Sequence, residues 1–180
     1  EKVKAGIASW KLGDPRDEDV VIGPMVEGPH FEKVKSFIAI TEQEGGKLVQ
    51  GGKIHSDLGS GWYIEPTIFD NVTADMTLFQ QEVFGPILAV TTFTSDEEAV
   101  ALANNSSYGL AASLYTESLK RAQHVSRAIR AGTVSINGFS EGDITTPFGG
   151  FKQSGFGGRD KGLEALQQYV QTKTIWYVQD

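Results

Sequence analysis

The sequence predicts an α/β fold, a mostly parallel sheet with flanking helices, on three observations. From Ile87 to Asn137 the chain reads strand, helix, strand, helix, strand, the order that sets successive strands parallel with helices crossing between them. The first of those strands, Ile87 to Phe93, is a nearly continuous apolar run, which predicts burial on both faces. The 180 residues suit one domain, or one domain with an arm, and can bury a sizeable core. The division expected is a main body over 1–158, followed by a terminal helix and strand over 159–180.

Each element has its own signal. Val3, Ile7 and Trp10 fall at helical spacing, so Glu1 to Trp10 reads as a helix that Gly13-Asp14-Pro15 ends. Residues 14–24 read as a surface connection. Pro29 to Gly45 is a full helix with Phe31, Val34, Phe37, Ile38 and Thr41 on one face, stopped by Gly45-Gly46. Lys47 to Gln50 is a short strand closed by Gly51-Gly52, and the polar stretch 53–61 is a loop. Trp62 to Phe69 is extended, with Pro66 demoting it to an edge or a bend. After Ile87 to Phe93, Ser95-Asp96-Glu97-Glu98 is a capping box opening a helix to about Asn104. Leu110 to Tyr115 is a strand. Glu117 to Ala131 is a helix with Leu119, Ala122, Val125 and Ile129 inward and Gly132 as its cap. Thr133 to Asn137 is a strand. Residues 138–158 form a Gly-rich loop whose length marks it as functional. Gly162 to Tyr169 is a last helix, and Thr172 to Val178 a last strand.

Composition excludes several classes. A net charge of −7 and a pI near 5.0 argue against nucleic-acid and anionic-membrane surfaces, which need Lys/Arg patches. No apolar run approaches a membrane span and no secretory signal is visible, although a chain that opens on Glu1 without a Met need not show its true beginning; a cytoplasmic protein is expected. Cysteine is absent, which excludes disulfides, thiolate metal sites and a cysteine nucleophile within these residues. His30, His55 and His124 are scattered, without a second histidine or a carboxylate at ligand spacing, and read as surface or ordinary helix positions.

The chemistry concentrates in two blocks. In Gln80-Gln81-Glu82-Val83-Phe84-Gly85-Pro86, residues two apart in extended backbone share a side, so Glu82 and Phe84 can face one ligand. Gly85 permits close backbone approach and Pro86 fixes the exit. A carboxylate beside an aromatic face suits a ribose carrying a flat ring: the carboxylate accepts from the hydroxyls while the ring packs. The bland alternative is a turn with one solvated Glu and one core Phe. The second block is Pro147-Phe148-Gly149-Gly150-Phe151-Lys152-Gln153-Ser154-Gly155.

Together the blocks resemble the aldehyde dehydrogenase superfamily, which carries Glu-(Ile/Val)-Phe-Gly-Pro and, some sixty residues on, Pro-Phe-Gly-Gly-(Tyr/Phe)-Lys-x-Ser-Gly. Ile64-Glu65-Pro66-Thr67 and Asn104-Asn105-Ser106-Ser107-Tyr108-Gly109-Leu110-Ala111 fit the same pattern. The resemblance covers essentially the whole chain but only the C-terminal part of the family's longer one. It implies oxidation of an aldehyde to an acid with NAD or NADP. In the family a cysteine thiolate attacks the carbonyl and a glutamate activates water, and both lie upstream of the first block. The resemblance thus implies a C-terminal fragment, inactive alone.

It also implies roles for particular residues. Glu82 would bond the nicotinamide-side ribose, and Phe84 would pack near the nicotinamide. Phe148 would line the aldehyde tunnel, with core packing as its alternative. The main-chain carbonyls of Lys152 and Gly155 match positions that hold potassium in betaine-aldehyde relatives. Gly142 stands where some members place an aromatic, and Glu141 and Asp143 beside it suit a long aldehyde with a cationic end, or else a solvated loop. The wording Gly-Asp-Ile-Thr-Thr-Pro-Phe-Gly-Gly, with Gly-Arg-Asp-Lys at 158–161 and Lys-Thr-Ile-Trp at 173–176, is similar to polyamine-pathway aldehyde dehydrogenases. Those act on γ-glutamyl-γ-aminobutyraldehyde, guanidinobutyraldehyde or aminobutyraldehyde. Phe156-Gly157-Gly158 departs from the usual wording by one residue and clouds matching after Gly155. In the family the C-terminal strand joins a neighbouring subunit, which implies a homo-oligomer, a dimer or tetramer, and Ile175-Trp176-Tyr177 is β-prone and nearly uncharged. The rival reading is a non-catalytic domain that self-associates through that strand.

Overall fold

The computed structural model describes residues 1–139 and 142–179. The chain divides into two compact units, Glu1–Thr92 and Phe93–Asp180.

In the first unit, α1 (Lys2–Ala8) is followed by a parallel pair, β1 (Lys11–Leu12) and β2 (Val20–Ile22). The stretch 14–24, expected as a connection alone, therefore contributes a strand. Helix α2 (Gly28–Gln43) has Pro29 in its first turn, where the missing N–H costs nothing. It buries Phe31, Val34, Phe37, Ile38 and Thr41, the face set by its periodicity. The buried Thr41 hydroxyl is satisfied by donating to the Phe37 carbonyl at 2.7 Å. Gly45, at φ 97, ends the helix.

A three-stranded sheet follows, in the order β3 (Lys47–Gln50), β6 (Thr67–Asp70), β7 (Ile87–Ala89), antiparallel then parallel. A small antiparallel pair, β4 (Ile54–His55) and β5 (Tyr63–Ile64), draws its first strand from the expected loop 53–61. Pro66 bends the chain between β5 and β6, so β6 itself is central, not an edge. A short helix, α3 (Thr77–Gln80), was not foreseen. Val34, Ile64, Phe69, Val72, Met76, Leu78 and Val83 make the core. The expected double burial of the Ile87 strand does not hold. Ile87 and Ala89 pack against this core, whereas Leu88 points to the open face and is 43% exposed.

The second unit opens with α4 (Asp96–Asn104). Ser95 Oγ accepts from the Glu98 N–H at 3.1 Å, and Glu98 reaches back to the Thr94 N–H and hydroxyl at 2.7 and 2.6 Å. This is the capping box, displaced one residue on its return arm. Then come β8 (Ala111–Leu114), α5 (Leu119–Ala128) and β9 (Thr133–Ile136), with β8 and β9 parallel in the register Ala111–Thr133 to Leu114–Ile136. Helix α5 is shorter than expected. It starts after Ser118, whose hydroxyl caps the Arg121 N–H, and buries Ala122 and Val125. Leu119, on its opening turn, is 73% exposed, and Ile129 is its C-cap in extended backbone. Gly132 is therefore not the cap. It lies against the Gly149 carbonyl so closely that a Cβ would overlap it.

Among its described residues, loop 138–158 contains a 3-10 turn, Lys152–Ser154. The expected last helix is a 3-10 stretch, Leu163–Tyr169, with Leu163 and Leu166 exposed and no core beneath to favour α geometry. The expected strand Thr172 to Val178 forms no ladder among the described residues and is exposed throughout.

Candidate functional site

The Glu82 segment leaves α3 in extended backbone, with Gln81 at φ −124 and ψ 140. Val83 turns into the core, so its neighbours Glu82 and Phe84 turn out together, as the two-residue period requires. Phe84 is 75% exposed and sits at φ 54, a region a bulky side chain rarely adopts. Its surroundings hold it there. His30 Nε2, from the first turn of α2, lies 2.6 Å from the Phe84 carbonyl. Next to it, Gly85 is so close to Val34 that a Cβ would come within 2.8 Å of both its methyls. The Pro86 carbonyl accepts from the Thr67 N–H at 2.8 Å, which ties the exit to β6. Backbone strain of this kind costs on the order of 1–3 kcal/mol and gathers at ligand sites. An apolar groove of about 470 Å³ runs beside Gly85 and Pro86, lined by Val3, Ile7, Trp10, Ile22 and Leu88.

A carboxylate and an aromatic ring so placed could hold a ribose carrying a flat ring. An exposed aromatic ring, on backbone tethered through its carbonyl, stands next to an exposed carboxylate that has no ion pair among the described residues. His30, read from sequence as a surface or ordinary helix position, holds the backbone of Phe84. No local signal pointed to it, because its partner lies 54 residues away.

In the second unit, Phe148 is half-buried. Its carbonyl accepts from the Asp160 N–H at 2.7 Å, and the Lys161 ammonium lies 5.1 Å from its ring centroid. Gly142 is at φ 76, and a Cβ there would come within 2.6 Å of Thr146, so the turn itself demands glycine. Glu141 lies outside the described residues. Asp143 Oδ1 accepts from the Thr145 hydroxyl at 2.6 Å and the Thr145 N–H at 2.8 Å. Those bonds, the hydroxyl first, hold its carboxyl below the usual carboxylate range. Asp143 thus builds its turn while remaining an exposed, ionised group.

Lys152 sits at φ 53 and sends its ammonium to the carbonyls of Asn104 and Ser106, each at 2.8 Å. Its own carbonyl accepts a long 3.4 Å bond from Gly155, whose Cβ position is closed off by the Gly150 carbonyl.

His55 departs from its reading. Its ring nitrogens lie 3.1 Å from Asp57 and 2.8 Å from Glu65, the latter brought alongside by the β4–β5 pairing. Among the described residues no group of three or more His, Cys, Asp or Glu side chains could hold a metal ion. No helix among them is long and apolar enough to cross a membrane.

The aldehyde dehydrogenase family profile matches residues 1–175. Similar curated proteins include the aminoacetaldehyde dehydrogenase of Pseudomonas aeruginosa, 47% identical over 98% of this chain and 35% of its own length. The NADP/NAD-dependent aldehyde dehydrogenase PuuC of Escherichia coli is 43% identical over 97% of the chain and 34% of its own. Among solved structures, the aldehyde dehydrogenase KauB of P. aeruginosa superposes with a TM-score of 0.89 at 45% identity, over 94% of this chain and 34% of that one. The Mycobacterium tuberculosis aldehyde dehydrogenase complexed with NAD+ gives 0.89 at 38% identity, over 94% and 35%. The chain spans about a third of the length of these relatives, and over that span it belongs to the aldehyde dehydrogenase family.

Proposed function

We propose that these 180 residues form the C-terminal portion of an NAD(P)-dependent aldehyde dehydrogenase that oxidises an amino- or guanidino-aldehyde of polyamine catabolism to its acid. The observation that carries this reading is the exposed Glu82–Phe84 pair on a strained loop fastened from two sides. When bound, the nicotinamide cofactor supplies the hydride acceptor. Glu82 accepts from the ribose hydroxyls and so fixes the rotation of the ring. Phe84 covers one face of that ring and keeps water off it. Phe148 walls the aldehyde pocket, where its rigid backbone anchorage keeps the ring in place. Gly142 leaves width beside it, and Glu141 and Asp143 raise the local concentration of a cationic substrate.

The relative named for aminoacetaldehyde supports a cationic aldehyde, and PuuC's dual cofactor name fits either nicotinamide. The nucleophile and general base are supplied from outside these residues, so the chain alone is inactive. Lys152 and Gly155 carbonyls offer a potassium site, and Thr172 to Val178 pairs with a neighbouring subunit. The test is cofactor reduction by a protein carrying this chain as its C-terminal third, with aminobutyraldehyde, guanidinobutyraldehyde and hexanal. Preference for the cationic aldehydes, with no turnover by the 180 residues alone, is expected. Turnover by the isolated chain, or preference for hexanal, overturns the reading.

The second reading, a non-catalytic self-association domain, draws on the exposed Ile175, Trp176 and Tyr177. It predicts concentration-dependent association and no effect of NAD+ on the chain.

A further inference from the structure

We propose that the Lys152 side chain is a positioning residue, a tethered cation that clamps the Phe148 loop to the C-terminal end of α4. Three observations converge on it. The ammonium donates to the carbonyls of Asn104 and Ser106 at 2.8 Å each, where α4 ends and its last carbonyls lack helical partners. A cation at that end also meets the negative pole of the helix. The same end is tied to the end of α5, because Asn104 Nδ2 donates to the Ala128 carbonyl at 2.9 Å and Asn104 Oδ1 accepts from the Arg130 N–H at 2.7 Å. The clamp therefore grips a braced point.

The loop is closed on the other side of Lys152. The Phe151 and Gln153 N–H groups donate to the Gly109 and Ser107 carbonyls at 2.8 and 3.0 Å, and Ser154 Oγ accepts from the Gly109 N–H at 3.0 Å. Gly150 packs directly on Ser154, and Gly149 on Gly132. Four residues before Lys152, Phe148 is then held by the Asp160 N–H. Lys152 adopts φ 53, an unfavourable backbone that the two charge-assisted bonds offset. An apolar or shorter side chain removes the bonds and leaves the strain.

The clamp stands on geometry alone, and its use in placing Phe148 as an aldehyde wall rests on the proposed function. The chain has no cysteine, so Lys152→Cys creates a unique thiol. Alkylation with bromoethylamine rebuilds a lysine-like ammonium there, whereas iodoacetamide caps the thiol with a neutral amide. The readout is amide hydrogen exchange in the 180-residue chain. Lys152→Cys should speed exchange at Gly109, Phe151, Gln153 and Asp160 by roughly ten- to a hundredfold, the loss expected with bonds to a charged donor. The β8–β9 amides of Thr133 and Asn137 should keep their rates. The aminoethyl adduct should restore protection and the amide adduct should not.

Unchanged exchange, or equal restoration by both adducts, overturns the clamp. A response that stops short of Asp160 overturns the positioning of Phe148. If Lys152→Cys also melts β8 and β9, Lys152→Arg and Lys152→Met decide: the charged variant should keep protection that the neutral one loses. No turnover enters the readout, so failure of the clamp leaves the dehydrogenase reading standing, and an inactive enzyme leaves the clamp standing.

Discussion

His30 Nε2 lies 2.6 Å from the main-chain carbonyl of Phe84. A carbonyl only accepts, so the ring donates from Nε2, and α2 is thereby bolted to the loop that carries the exposed aromatic. His30→Ala should lower stability by about 0.5–1.5 kcal/mol, read from the urea midpoint. Phe84→Gly should recover part of that loss, because glycine occupies φ 54 without penalty. The double variant should therefore lose less than the sum. Strict additivity would mean that the bond does not hold the strained residue.

Glu82→Gln, in the enzyme that carries this chain, should slow hydride transfer more than it weakens cofactor binding. Each charge-assisted bond to a ribose hydroxyl contributes roughly 1.5–3 kcal/mol, so a loss of about tenfold or more is expected in single-turnover NADH formation. A parental rate would remove Glu82 from the cofactor site.

Gly132→Ala should unfold the second unit or destabilise it by more than about 3 kcal/mol, since a Cβ there meets backbone that cannot yield. Gly138→Ala is the control, with nothing within 4 Å of its Cβ position. Thermal melts that place both variants together would show that the Gly132–Gly149 approach is not fixed.

Asp143 should titrate below ordinary carboxylates by carbon-detected NMR, and Thr145→Val should bring it back up. Its depressed value means that its contribution to the turn is present at neutral pH and is lost as pH falls through the folded value. Asp14 should behave likewise at about 2, held down chiefly by its bonds to the Arg16 side chain and then its N–H. An Asp143 that stays as low in Thr145→Val as in the parent would remove the Thr145 hydroxyl bond as the cause.

Glu141→Gln with Asp143→Asn should raise KM for aminobutyraldehyde several-fold at low salt and less at high salt, with kcat on hexanal nearly unchanged. Equal losses on both aldehydes would point to a disturbed loop. No loss on either would make the acids solvated surface.

The helical faces were legible where periodicity met a real core, as in α2, whose five inward residues are the five buried ones. Leu119 misled because it lies at the opening turn of α5, beyond the ground its inner face covers. Strands of two residues, β4 and β5, are too short to carry a pattern, and the central place of β6 depends on partners distant in sequence. In the candidate site, the alternation that pairs Glu82 with Phe84 was readable, whereas the left-handed backbone of Phe84 was not. That conformation arises from His30 and Val34, on a helix some fifty residues earlier. Lys152 shows the same limit, since its side chain finds carbonyls 46 and 48 residues away.

The exposed tail has an optical consequence. Trp10, Trp62 and Trp176 are 46%, 43% and 84% exposed, so all three indoles of the folded chain meet water. Intrinsic emission should shift little towards the red when denaturant unfolds the chain, which makes it a weak monitor of folding. The same property makes it a sensitive monitor of whatever covers residues 172–178. A blue shift that grows with protein concentration and vanishes in Trp176→Phe would report burial of the tail while the rest of the spectrum stays silent.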